Sequence, residues 1–215
     1  MNYTALIVAA GSGSRMKLGY NKMLYKLASG QTIIEKTVSN FEQDARCTQI
    51  IVVTSASEME VFVNLLDPKK ICFVRGGKTR QESVFQGLKA VMNEYVFIHD
   101  GARPWLDQAC LDRLCDCVED KKACLLMVPV KDTIKVVEDG KVKHTPNRAT
   151  LYAAQTPQAF DTEAIFQANL KAFEQKIAVT DDASIMEACS TYEVYSVMGS
   201  YENSKVTTIE DIEGK

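Results

Sequence analysis

Apolar and polar positions along this chain alternate in a repeating order. Residues 3–9 form a short apolar run that reads as a buried strand. Thr32 to Phe41 then has helical spacing, with Ile33, Ile34, Val38 and Phe41 on one face. A strand follows at 50–54, a helix at 57–66 and a short strand at 71–74. Residues 79–92 read as a helix with Val84, Leu88 and Val91 inward. Residues 95–99 read as a strand, 108–118 as a helix and 123–128 as a strand. This β-α-β order predicts an α/β domain with a mostly parallel sheet and helices on both faces. The order breaks after Pro129. Ile134 to His144 reads as a hairpin turning at Asp139-Gly140, with strands that alternate apolar and charged residues. A lone hairpin is marginal in water, so this one is expected to protrude as an arm and lean on a second chain. A flap folded over its own domain is the alternative. Helices at 161–173 and 181–189, a strand at 193–197 and a short closing helix from 208 complete the expected elements.

Three polar clusters follow strands of this pattern: Gly11 to Arg15, Gly76 to Ser83, and Asp100 to Arg103. They therefore share the rim beyond the carboxyl ends of the strands, where ligands bind in such sheets. The first belongs to Leu6-Ile-Val-Ala-Ala-Gly-Ser-Gly-Ser-Arg-Met16, with Lys17 next. A strand that ends in glycine brings backbone N–H groups toward one point, and phosphate oxygens can approach them closely. For the glycines alone, a strand followed by a flexible turn is an equal reading. Arg75-Gly-Gly-Lys-Thr-Arg-Gln-Glu-Ser83 is a second glycine turn, and it opens a helix. Its N–H groups and positive dipole end suit an anion or a base edge, or simply start a helix. In His99-Asp-Gly-Ala-Arg-Pro104, a carboxylate at Asp100 can hold a magnesium ion that bridges phosphates, or pair with Arg103.

Spacing separates the phosphate-binding templates. Gly-x-x-x-x-Gly-Lys-Ser/Thr does not occur. A dinucleotide fingerprint needs a third small residue where Met16 stands, and an acid ending the next strand. Ile50 to Ser55 ends in hydroxyls instead, and Glu35 lies inside a helical pattern. A nicotinamide-dependent oxidoreductase is disfavoured on both counts.

Composition narrows the picture further. The net charge of −3 over 215 residues leaves no basic footprint for nucleic acid. An apolar share of 46% supports a sizeable core in a single domain, 1–215. No apolar run reaches membrane-spanning length and the N-terminus reads as a strand, so a cytoplasmic protein is expected. Seven cysteines, an odd number, argue for free thiols. Cys115-x-Cys117 lacks the spacing of a zinc knuckle, and Cys110, Cys115, Cys117 and Cys124 are expected to pack as small apolar residues around one helix.

Ala9-Ala-Gly-Ser-Gly-Ser-Arg-Met16 followed by Lys22 resembles the opening of sugar-nucleotide and polyol-phosphate nucleotidyltransferases. Further motifs follow in order: Gly76-Gly77 with Arg80 and Ser83, His99-Asp-Gly-Ala-Arg-Pro104, Val130-Lys-Asp-Thr133, Gln155-Thr-Pro-Gln158, Thr180-Asp-Asp-Ala-Ser184 and Asn203-Ser-Lys-Val-Thr207. Together they resemble the 2-C-methyl-D-erythritol 4-phosphate cytidylyltransferases of isoprenoid synthesis over nearly the whole chain. The ribitol 5-phosphate cytidylyltransferases of teichoic acid synthesis share most of them.

The resemblance implies a Rossmann-like nucleotidyltransferase fold and a reaction of CTP with a polyol phosphate that gives a CDP-polyol and pyrophosphate. It implies catalytic roles for Arg15, Lys22, Arg148 and Lys205. Arg15 and Lys22 would stabilise charge at the α-phosphate and the leaving pyrophosphate. Arg148 and Lys205 would hold the attacking phosphate, with hydroxyl contacts from Thr133 and Thr156. Ala9, Ala10, Gly11, Gly13, Gly77, Ser83, Asp100, Gly101 and Ala102 would hold the nucleotide. Mg2+, or another divalent cation carried with CTP, would sit at Asp100. The arm, at about 131–153, would make a homodimer. Two departures stand out. Asn21-Lys22-Met23 replaces the usual Pro-Lys-Gln, and Lys78 stands where relatives often carry an acid. A catalytically silent nucleotide-binding module, the remaining rival, could drop Arg148 and Lys205, yet both are present.

Overall fold

The computed structural model describes residues 1–11 and 19–212. Its centre is a seven-stranded sheet in the order β3-β2-β1-β4-β8-β5-β9. The strands are β1 Tyr3–Val8, β2 Cys47–Thr54, β3 Ile71–Arg75, β4 Tyr95–Asp100, β5 Ala123–Pro129, β8 Tyr152–Asp161 and β9 Tyr195–Met198. β8 runs antiparallel between β4 and β5, and the other pairs in this sheet are parallel.

The sheet is buried on both faces because successive strand residues feed opposite cores. Ala5 and Ile7 of β1 join one cluster with helices α1 (Ile33–Glu42), α2 (Met59–Leu65) and α4 (Gln108–Lys121). Leu6 joins the other, with α3 (Arg80–Leu88), α5 (Thr162–Glu174) and α6 (Asp182–Cys189). Cys110, Cys115 and Cys124 are buried in the first cluster and Cys117 packs at its edge, so these thiols fill space as small apolar groups. Side-chain caps set the helix starts. Thr32 and Glu35 form a capping box on α1, and Thr79, Asp107, Asp161 and Asp181 each accept an N–H of the first turn of α3 to α6.

Three expectations need correction. No element is expected over 154–160, yet β8 is a ten-residue strand inside the sheet. The closing helix is absent among the described residues. The N–H groups of Thr207 and Thr208 instead bond the Asp211 carboxylate and hold 208–212 in turns. Helix α3 stops at Leu88 rather than 92, with Ala90 and Val91 bonded back to Gly87 and Leu88.

The hairpin forms as expected, from β6 (Val136–Glu138) and β7 (Lys141–His144), in a two-stranded sheet of its own. From 131 to 150 only Val136 and Pro146 are even partly covered, and Val137 and Val142 are 53% and 61% exposed. In the single chain it is an arm, not a flap over its own domain. No helix among the described residues is long and apolar enough to cross a membrane.

Candidate active site

The strand order turns at β1, which has β2 on one side and β4 on the other. A crevice at such a switch point is the expected ligand site of a doubly wound sheet. A cavity of about 360 Å3 opens there, lined by Ala10 and Gly11 after β1, Gly77 to Arg80 and Ser83 after β3, Asp100 at the end of β4 and Ala102 just beyond it, and Lys22 and Lys205.

The loop after β3 fits closely against Ala10, just after β1. A Cβ on Gly76 would stand 2.8 Å from both the Ala10 Cβ and the Ser83 Oγ, so only glycine allows this approach. Ser83 Oγ donates to Thr79 O at 2.8 Å and accepts from Gly77 N–H at 3.1 Å, which closes the loop over the start of α3.

Asp100 is the electrostatic centre. Lys205 Nζ lies 2.7 Å from its Oδ2, Arg80 Nε 3.2 Å from its Oδ1 and Arg103 Nε 4.0 Å from its Oδ2. Burial pushes the carboxyl up, but Arg80, Lys205 and Arg103 outweigh burial and hold it well below the usual carboxylate range. Lys205 is aimed by its segment. Asn203 Nδ2 donates to Thr156 O at 2.8 Å, and Val206 N–H bonds Ala102 O at 2.8 Å. The buried Lys22 donates to Val206 O at 2.7 Å from the other side.

Beneath Asp100 lies a buried polar relay. Thr156 Oγ1 accepts the Asp100 N–H at 3.0 Å and lies 3.1 Å from His99 Nδ1. Its own proton therefore points to Nδ1, and the imidazole carries its proton on Nε2, 3.0 Å from Arg103 O. Burial pushes His99 down to about 4 from 6.5. The unfolded chain therefore takes up this proton first as pH falls, and stability drains between about pH 6.5 and 4. That predicts a loss of roughly 2 kcal/mol from pH 7 to pH 5. Urea unfolding of the wild type and of His99→Gln at both pH values checks it. The variant should lose that much of the pH slope, and equal slopes would contradict it.

Not every sequence candidate reaches the cavity. Ala9 and Gly101 are buried, and their N–H groups bond Val53 O and Val8 O. They shape the floor rather than offer donors. The Thr156 hydroxyl is spent on Asp100 and His99. Thr133 and Arg148 are exposed at the base of the arm, where Arg148 donates to Lys131 O at 3.0 Å. Gly13 and Arg15 lie outside the described residues. Sequence reasoning gave Arg80 no role, although it stood in the second motif; here it faces the cavity and bridges two carboxylates.

A family model described as 2-C-methyl-D-erythritol 4-phosphate cytidylyltransferase matches residues 3–214. The chain belongs to the 2-C-methyl-D-erythritol 4-phosphate cytidylyltransferase family. Proteins of that name from Halalkalibacterium halodurans and Clostridioides difficile are 45% and 41% identical to it, over 99% and 98% of this chain and 94% and 90% of theirs. The crystal structure of 4-diphosphocytidyl-2C-methyl-D-erythritol synthase from Anaerococcus prevotii is similar at a TM-score of 0.87 and 33% identity, over 98% of this chain and 94% of that one. The 2-C-methyl-D-erythritol 4-phosphate cytidylyltransferase of Francisella tularensis matches at 0.84 and 29%, over 99% and 97%.

Within this 2-C-methyl-D-erythritol 4-phosphate cytidylyltransferase family member, the missing proline before Lys22 has a local substitute. Asn21 has φ −63°, the value a proline ring would impose. Its side chain accepts the Met23 N–H at 3.0 Å and donates to Glu58 Oε2 at 2.8 Å. Hydrogen bonds rather than a ring hold the lysine turn in place.

Proposed function

We propose that this chain joins CTP to 2-C-methyl-D-erythritol 4-phosphate, releasing pyrophosphate, as a step of non-mevalonate isoprenoid synthesis. One observation carries the reading. In a chain matched to this family almost end to end, Lys22, Lys78, Arg80 and Lys205 line the switch-point cavity together with Asp100, the one carboxylate of its described lining. A phosphate oxygen of one polyanion attacks the α-phosphorus of another, and converging cations offset the charge that grows there. No general base is needed, because the attacking phosphate is already an anion.

Lys22, with Arg15 of the first glycine motif, stabilises the α-phosphate and the departing pyrophosphate. The glycine turns seat the nucleotide. Lys205 spends one of its three N–H donors on Asp100 and keeps the others for the acceptor phosphate. No group of three or more His, Cys, Asp or Glu side chains among the described residues could hold a metal alone. A magnesium ion arriving on the triphosphate needs only one or two protein carboxylates, and Asp100 fits that requirement. The ion would add positive charge beside the phosphates.

The arm completes the proposal. Its apolar stripe suits a two-fold partner, so the enzyme is a homodimer in which Thr133 and Arg148 reach the partner's cavity. Neither residue lines the cavity of its own chain, which supports this. Arg148→Ala is expected to raise KM for the polyol phosphate at least about ten-fold and leave CTP affinity unchanged by calorimetry. Arg148→Lys should rescue poorly, because lysine lacks the two-pronged grip on phosphate. An equal loss of CTP affinity would remove Arg148 from the acceptor site. The seven free thiols suit a reducing compartment, so we place the enzyme in the cytoplasm.

The test is pyrophosphate release from CTP and magnesium with each acceptor in turn. Methylerythritol phosphate should support turnover at least about 100-fold better than ribitol phosphate. Preference for ribitol phosphate, or release without any acceptor, would overturn the reading.

A further inference from the structure

A second, much smaller cavity shares Arg80 with the first. It measures about 20 Å3 and is lined by Arg80, Gln81, Thr180, Asp182 and Ile185, among others. Asp182 is wholly buried. It is the first residue of α6, yet it does not cap that helix. Asp181 does so, accepting the Ser184 N–H at 3.0 Å while Ser184 Oγ accepts the Asp181 N–H at 3.2 Å. The Asp182 carboxylate turns inward instead, and its Oδ2 accepts from Arg80 Nη2 at 2.7 Å. A carboxylate so far from water is unfavourable unless paired, and Arg80 is the pair. The guanidinium is planar, so fixing Nη2 on Asp182 also fixes Nε, which lies 3.2 Å from Asp100 Oδ1.

Two polar atoms beside this pair are buried without a hydrogen-bond partner among the described residues: Asp182 Oδ1, an acceptor, and Gln81 Nε2, a donor. Both residues line the small cavity, whose volume exceeds the roughly 10–15 Å3 that one water needs. A single water accepting from Gln81 and donating to Asp182 satisfies both.

We infer that Asp182 is a positioning residue of the nucleotide site: it holds Arg80, through which it fixes Asp100, and one buried water shared with Gln81 completes its own anchorage. The inference rests on reading the larger cavity as the CTP site. Asp182 never touches the substrate. Its work is to keep a long, rotatable arginine in one pose at the cavity wall, so that CTP does not have to order it on binding.

Steady-state kinetics on the full chain test this. Asp182→Asn keeps the shape and removes the charge. It should raise KM for CTP about ten-fold, leave KM for the acceptor within two-fold, and add nothing further in an Arg80→Ala background. Gln81→Leu should give a smaller rise in the same constant, and no rise would overturn the water anchor. An unchanged KM for CTP in Asp182→Asn would overturn the inference. So would losses that multiply in the double variant, since Asp182 would then act on something other than Arg80. If Asp182→Asn does not fold, Arg80→Lys decides, because lysine keeps a charge but cannot span two carboxylates. A normal KM for CTP there would overturn the inference. Absence of CTP turnover by the unmodified chain is a different result, and it would bring down the function proposal and this inference together.

Discussion

Lys22→Ala should lower kcat on the order of 100-fold or more while CTP still binds. The lysine is buried at the cavity wall, and its Nζ is already fixed by Val206 O at 2.7 Å. A cation placed before the substrate arrives needs no reorganisation when charge builds up. It therefore acts on the barrier more than on ground-state binding. Val206 keeps its own N–H bond to Ala102 O in the variant, so the segment that carries Lys205 stays anchored. Turnover should fall far more than thermal stability. If kcat stays within a few-fold of wild type while the CTP dissociation constant rises, Lys22 is a binding residue only.

Mixing two impaired proteins should restore activity when it is assayed with the acceptor well below the raised KM of Arg148→Ala. In the proposed homodimer, Lys22→Ala damages the cavity of its own chain, and Arg148→Ala damages the arm proposed to reach the partner. After free exchange at equal concentrations, half the dimers are mixed. Each mixed dimer has one site with both lesions and one with neither, so roughly one quarter of all sites become intact. The exposure of nearly all of residues 131–150 motivates the experiment, since an arm packed on its own domain would leave Arg148 little freedom to serve another chain. If each chain built its own site, no intact site would form. An unrestored mixture, with exchange confirmed by a mass-tagged subunit, would overturn the shared site.

How far residues spoke for structure depended on how local the signal was. β1, α1 and β4 were legible because unbroken apolar runs and 3.6-residue spacing are local patterns. The hairpin announced itself through Asp139-Gly140, and Asp139 and Gly140 do take positive φ values, 49° and 73°. β8 was hidden because Tyr152 to Phe160 carries two glutamines and a proline, and proline within a run argues against a central strand. The sheet accommodates it with a register shift opposite Leu125 to Met127. The cavity's place was legible, since glycine turns and an acid after β1, β3 and β4 had to share one rim. Its wiring was not. The Arg80–Asp182 pair spans 102 residues and Lys205–Asp100 spans 105, and no local pattern reports either. The resemblance implied a substrate contact for the Thr156 hydroxyl, and no local pattern reports its bonds to His99 and the Asp100 N–H.

The most direct measurement follows one phosphorus atom. CTP labelled at the α-phosphate is incubated with the enzyme, magnesium and methylerythritol phosphate, and the products are separated. All of the transferred label should appear in the CDP-linked polyol, with one unlabelled pyrophosphate released for each molecule formed. Label that stays in CTP, or that moves to CMP without joining the acceptor, would contradict the proposed transfer.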